Sequence, residues 1–86
     1  MGMDLIGAGL SYNWQGWRWL VERLVSWGVD VREFRFCNDG DLISPATCLA
    51  VTEAIEAHLT EFDDETREWI EPHIVKWRYS GGCEQW

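Results

Sequence analysis

The pattern of hydrophobic and polar positions predicts a first helix over residues 14–27. Apolar side chains recur there at helical spacing and fall on one broad face. This face contains Trp14, Trp17, Leu20, Val21, Leu24, Val25 and Trp27. Trp19 is the exception, because it falls among the polar residues of the opposite face. Gly28 is placed to end this helix.

The clearest predicted helix begins after Ser44. Serine is a strong N-cap, and Pro45 at the first helical position has its φ already set. One apolar stripe then runs along this helix through Cys48, Val51, Ile55, Leu59 and Phe62. The acidic pair at 63–64 interrupts the stripe and can cap a third helix, which Pro72 either kinks or restarts. Residues 80–82 (Ser-Gly-Gly) end that third helix.

Three shorter segments are predicted to be extended. Residues 3–10 read as a strand, and 29–36 read as a strand with a bulge or as two short extended pieces. Residues 83–86 return as an edge strand, and the chemistry at 11–13 and 38–41 is typical of turns. The predicted order is β-α-β-α-α-β. This is an α+β fold in which a short sheet of two or three strands packs against about three helices.

Composition limits the broad class of protein. The 86 residues suffice for one domain, residues 1–86, and the seven tryptophans supply the dense core that so short a chain needs. No apolar run approaches the length of a membrane span. The formal charge of −8 argues against direct binding of nucleic acid.

The N-terminal sequence has no basic segment followed by an apolar one, so we expect no secretory signal and a cytoplasmic location. Cys37, Cys48 and Cys83 are an odd number at wide spacing, and none forms a Cys-x-x-Cys pair. We therefore expect reduced thiols, with Cys48 in the core, and neither a metal site nor a cofactor.

The negative charge is concentrated in one part of the chain. Residues 53–71 contain eight acidic residues and one basic residue, a charge of −7, whereas the other 67 residues carry seven acidic and six basic residues, a charge of −1. The acidic residues are Glu53, Glu56, Glu61, Asp63, Asp64, Glu65, Glu68 and Glu71. Such a surface would attract the Lys/Arg-rich grooves that normally hold phosphate backbones. It is also consistent with a solvated helix face that keeps the protein soluble.

Two tryptophans have two interpretations each. Trp19 is either an apolar anchor for a partner or a side chain that another element covers. Trp86 either pins the chain end into the sheet or projects toward a partner. We include Trp19 with the eight acidic residues as a candidate partner-binding residue.

No catalytic pattern emerges from the remaining polar residues. Gly7 and Gly9 lack the third glycine and the lysine of a phosphate-binding loop. His58 and His73 have neither a nearby cysteine nucleophile nor a second histidine at ligand spacing. We therefore predict a protein that is not an enzyme.

Four short motifs resemble a loosely conserved group of small bacterial and phage proteins without characterised activity. The motifs are Met1-Gly2-Met3-Asp4, Gly16-Trp17-Arg18-Trp19-Leu20, Asn38-Asp39-Gly40-Asp41 with the helix after Ser44, and Ser80-Gly81-Gly82-Cys83-Glu84. The resemblance implies a setting in phages, prophages and other mobile elements, where small acidic proteins such as several anti-CRISPR proteins occupy basic surfaces of host systems.

Charge and resemblance together lead to one expectation and two alternatives. The expected function is to bind a basic surface of a host nucleic-acid-handling defence complex, with a CRISPR effector as the leading candidate, and to block nucleic-acid loading. The first alternative is a nucleotide-binding or nucleotide-sequestering module that uses the glycine-bearing first strand and tryptophan stacking. The second is a homo-oligomeric structural protein joined through the C-terminal edge strand.

Overall fold

A computed structural model describes residues 2–86; Met1, the first residue of the Met-Gly-Met-Asp motif, lies outside them. The described residues form an antiparallel sheet of four short strands and three helices. The strands are β1 (Gly2–Ile6), β2 (Leu10–Asn13), β3 (Leu42–Ile43) and β4 (Cys83–Gln85). The helices are α1 (Trp14–Ser26), α2 (Pro45–His58) and α3 (Asp64–Arg78), with a 3-10 turn at Leu59–Glu61 between the last two.

The predicted α+β class is confirmed, but the first strand is in fact a hairpin. Residues 3–10 do not run straight, since Gly7 and Gly9 have φ of +106° and +69° and turn the chain back on itself. Leu10 and Tyr12 then face the core along β2. The predicted turn at 11–13 is therefore wrong, although Asn13 does cap α1.

The predicted strand over 29–36 is also wrong, because this segment is irregular. Its backbone does not join the sheet, but its apolar side chains pack into the core. Phe34 is buried, and its ring centroid lies 5.4 Å from that of Trp17. The indole N–H of Trp17 donates to the carbonyl of Arg35 at 2.7 Å. The missing strand is supplied by β3, ahead of α2.

The last strand lies inside the sheet, where the sequence predicts an edge. The strand order is β2-β1-β4-β3, so the edges are β2 and β3, and β4 pairs on both sides. This overturns the arrangement in which copies join through the C-terminal strand. The buried Gln85 amide donates to the Glu33 carbonyl at 2.8 Å and accepts from the Arg35 N–H at 2.7 Å. The strand thus also holds the irregular segment in place.

The helix starts follow the predicted local chemistry. Ser44 caps α2, Pro45 takes its first position, and Asp63 caps α3. The α3 helix continues through Pro72 from Asp64 to Arg78, so the predicted restart there is wrong. On α1 the predicted apolar face is buried at its centre, but Val25 is 56% exposed.

A continuous series of aromatic rings runs through the molecule. Along this aromatic series, neighbouring ring centroids lie 5.4–6.3 Å apart, in the order Trp27, Phe62, Trp19, Trp69, Tyr12, Trp17, Phe34 and Trp77. These separations are in the range at which tilted and edge-to-face rings attract each other. The series joins side chains from β2, α1, α3 and the irregular segment, together with Trp27 just after α1 and Phe62 just before α3, into one core.

Trp86 is pinned to the sheet, and the structure thereby favours one of the two interpretations of this residue. Its N–H donates to the Asp4 carbonyl at 2.8 Å, and its carbonyl accepts from the Asn38 side chain. Its indole ring lies against Gly40, whose φ is +83°. The bend at 38–41 therefore packs on the end of the chain.

This packing predicts different costs for two glycine substitutions. Gly81 also has a positive φ, +66°, but a Cβ there would meet no atom within 4 Å. We expect Gly81→Ala to lower the free energy of unfolding by about 1 kcal/mol through backbone strain alone. Gly40→Ala should cost about 2–3 kcal/mol, because its Cβ also displaces the Trp86 ring. Urea unfolding measures both values, and equal losses would contradict the proposed packing.

Candidate protein-binding surface

All eight predicted acidic residues are exposed on one helix-turn-helix unit. Two lie on α2, Glu61 ends the 3-10 turn, and the other five lie at or beyond the start of α3. The two helices pack against each other, and the ion pair between Glu56 and Arg78 joins them. The structure therefore presents as one surface the charge that is concentrated in the sequence.

Half of these carboxylates already have partners within the protein. Glu56 pairs with Arg78, Glu61 with His58, and Asp64 with Arg67 at 3.3 Å. The Asp63 carboxylate accepts the backbone N–H of Thr66 at 2.8 Å. These four act in part as structural groups. The sequence indicated the cap at 63–64, but it did not reveal the Glu56–Arg78 contact, which spans 22 positions.

The other four carboxylates make no ion pair or side-chain hydrogen bond within residues 2–86. They are Glu53 on α2 and Glu65, Glu68 and Glu71 on α3. The three on α3 are spaced three residues apart, so they cover about 120° of the helix surface. We call these three residues the acidic strip. Like charges at this spacing destabilise a helix slightly. The three side chains are also exposed, so neither helix stability nor core packing explains the strip.

Trp19 is half-buried and not a projecting anchor. Its ring centroid lies 5.7 Å from that of Phe62 and 5.6 Å from that of Trp69. The α2–α3 unit thus covers part of Trp19. Sequence reasoning missed Trp69, which is 41% exposed. Its position between the acidic strip and the buried face of α3 was the available signal.

Trp19 and Trp69 line a groove of about 610 Å³ between the starts of α1 and α3. We call it the aromatic groove; its other lining residues are Asn13, Gln15, Gly16, Glu65 and Thr66. The groove therefore brings together two of the predicted site residues, Trp19 and Glu65. The other seven predicted residues do not line it.

Two helix caps hold the rims of the aromatic groove. The Asn13 side chain accepts the Gly16 N–H at 2.7 Å at the start of α1. The Asp63 side chain does the same for the Thr66 N–H at the start of α3. Each cap is local in sequence, so the rims are set before a ligand arrives.

A buried polar network supports the groove from beneath. The Trp77 indole N–H donates to the Tyr12 hydroxyl oxygen at 3.1 Å, and this hydroxyl lies 2.9 Å from Nδ1 of His73. Burial raises the pKa of Tyr12 well above its usual value, so the phenol stays protonated while its hydroxyl and Nδ1 share a hydrogen bond. His73 in turn packs against Trp69, with ring centroids 5.1 Å apart.

A second groove, of about 580 Å³, lies at the β3 edge of the sheet near the glycine-bearing hairpin turn. It is mainly apolar, with Ile6, Leu42 and Pro45 in its wall and Glu33 and Glu84 at its rim. Neither groove is lined by an Arg, Lys or His residue from the part of the chain that the structure describes. Both grooves are therefore poorly suited to a phosphate group.

The cysteines and other metal-binding side chains form no metal site among residues 2–86. All three thiols are free, with Cys48 and Cys83 buried and Cys37 exposed. No group of three or more His, Cys, Asp or Glu residues in this range is arranged to hold a metal ion. No helix in this range is both long and apolar enough to cross a membrane.

Comparison with known proteins adds no relative. No family model, curated protein or solved structure matches this chain. The function is therefore inferred from the charges, the aromatic groove and their arrangement.

The partial burial of His73 predicts a pH-dependent loss of stability. Burial, and then the nearby Lys76, lowers the pKa of His73 below its ordinary value of 6.5. The unfolded chain thus takes up this proton first as the pH falls. The contribution of neutral His73 is complete above pH 6.5 and is lost as the pH falls from there toward the lower pKa of the folded state. As the pH falls from about 7.5 to 5.5, we expect the melting temperature of His73→Gln to decrease less than that of wild type.

Thermal unfolding at matched ionic strength measures this difference. The comparison is between the two pH slopes, because the variant also loses packing at every pH. Identical slopes would show that folding does not favour the neutral form of His73.

Proposed function

We propose that this chain is a non-enzymatic interaction protein that binds a Lys/Arg-rich surface of a partner through the acidic strip and the adjoining groove. The observation that supports this is the arrangement of Glu65, Glu68 and Glu71. These residues are exposed on one face of α3 and have no partner within residues 2–86, and Glu65 lies beside Trp19 and Trp69 in the aromatic groove. Charge and aromatic contact area are the two features that protein interfaces of this kind combine.

The electrostatics favour association over mere solvation. Like charges on one helix face repel each other, and a cationic partner converts this repulsion into attraction. Complementary charge also speeds encounter and makes binding sensitive to salt. The aromatic groove beside the strip adds contact area for a partner, which a purely solvated face does not use.

The proposed partner is a nucleic-acid-handling complex of a bacterial host, and a CRISPR effector is the leading candidate. The acidic strip is negative and linear, like the phosphate backbone that a basic groove holds, so it is complementary to such a groove. The resemblance to phage and mobile-element proteins supports the same setting. Binding there would block nucleic-acid loading, because the protein and the nucleic acid cannot occupy the same groove together.

The nucleotide-binding alternative receives less support. Tryptophan stacking is available in the aromatic groove, but Glu65 lies there, and no basic side chain in the described range lines it. A nucleotide would bring its phosphates toward carboxylates, which repels them.

Removal of the acidic strip tests the proposal. We expect the variant to bind a decaarginine peptide at about 50 mM salt about ten-fold more weakly than wild type does, because three exposed charge pairs are lost. Isothermal titration measures the affinities, and repetition at about 300 mM salt should weaken wild-type binding steeply. The substitutions are Glu65→Gln, Glu68→Gln and Glu71→Gln.

The control variant removes the same net charge elsewhere. Its three positions are exposed and lie outside the helix-turn-helix unit: Asp4→Asn, Glu22→Gln and Asp39→Asn. We expect its affinity to stay within about two-fold of wild type. If both variants weaken binding equally, net charge alone attracts the peptide, and the acidic strip is not the binding surface.

A further inference from the structure

We propose that the aromatic groove holds the guanidinium group of one arginine side chain of the partner. The inference rests on the proposed function, and it identifies the group that the site recognises. The Trp19 and Trp69 rings meet at 68° with their centroids 5.6 Å apart, so they form a corner. Glu65 lies in the same groove and has no partner within residues 2–86. A cation placed there contacts an indole face and a carboxylate at once.

The charge of the groove selects a cation over an anion. The starts of α1 and α3 both border it, and each helix start carries a partial positive charge of about one half. At α3, the negative charges of Asp63 and Glu65 outweigh that partial charge, while Asp64 is paired with Arg67. No basic side chain in the described range lines the groove to reverse this balance.

The geometry favours arginine over lysine. A guanidinium group is planar, stacks on an indole ring and presents a fork of N–H donors to a carboxylate. Thr66 and Gln15 add oxygen acceptors at the groove wall for the remaining donors. A lysine ammonium is a compact, strongly hydrated charge that gains less from a flat aromatic surface.

Gly16 keeps the groove open at the α1 rim. A Cβ at this position would lie 3.2 Å from Asn13 Oδ1 and 3.9 Å from Cζ2 of Trp69. Glycine within a helix costs up to about 1 kcal/mol relative to alanine. At this position it leaves both the α1 cap and the space beside Trp69 free.

Two peptides of equal charge test the inference. We expect wild type to bind decaarginine about five-fold more tightly than decalysine. Trp69→Leu should bring the ratio to about one while binding of both peptides persists, because the acidic strip is intact. The acidic-strip variant should lose affinity for both. Isothermal titration measures the affinities, and circular dichroism verifies that each variant is folded.

NMR of the wild-type protein provides a readout that does not depend on a variant. The indole N–H resonances of Trp19 and Trp69 should shift when decaarginine is added. Those of Trp17 and Trp77, which are fully buried, should not.

The outcomes separate the two proposals. If both peptides bind equally and the Trp19 and Trp69 resonances stay in place, the proposal that the aromatic groove holds an arginine is overturned, while the proposed role of the acidic strip is retained. If neither peptide binds, both proposals are overturned.

Discussion

The contact of aromatic rings across element boundaries is the constraint on which the rest of the structure depends. A chain of this length buries a smaller share of its surface than a larger domain does, so a few large side chains must supply most of the core. The rings of Trp17 and Trp77 are fully buried, and Tyr12 links them to the surface through Trp69. The packing of α1 against α3 is therefore set by the aromatic series.

The same series makes the aromatic groove rigid. Trp19 packs on Phe62, and Trp69 packs on Tyr12 and His73, so each groove ring has a second ring behind it. Side chains held in this way lose little further freedom when a ligand binds, which favours affinity. Core and candidate site are thus parts of one packing arrangement, while the acidic strip adds charge on the exposed side of the same helix.

Local chemistry made the helices predictable, and long-range pairing made the sheet unpredictable. Ser44 and Asp63 act through groups within three residues of themselves, so their caps can be recognised in the sequence. The pairing of β4 with β1 joins opposite ends of the chain, and no local pattern encodes it. The alternation around Phe34 led to the wrong prediction of a strand, because an irregular segment that packs on the core can bury side chains at the same spacing as a strand.

The candidate site was predictable in its charge and not in its detail. Exposure of the carboxylates on α2 and α3 followed from their place opposite the buried faces of these helices, and Glu61 and Asp63 lie in the exposed connection between them. Sequence could show the cap at 63–64 but not the Glu56–Arg78 ion pair, since Arg78 reaches Glu56 only after α2 and α3 pack together. Trp69 was missed because its partner rings come from β2 and α1.

The central claim is that the acidic strip occupies a basic groove that otherwise holds nucleic acid. The most direct measurement immobilises wild type, captures proteins from lysates of bacteria with CRISPR complexes, and then adds a single-stranded oligonucleotide. We predict that the oligonucleotide releases a nucleic-acid-handling complex that the Glu65/Glu68/Glu71 variant fails to capture and the Asp4/Glu22/Asp39 control retains. A captured complex that is indifferent to the oligonucleotide, or that binds both variants alike, would contradict the account.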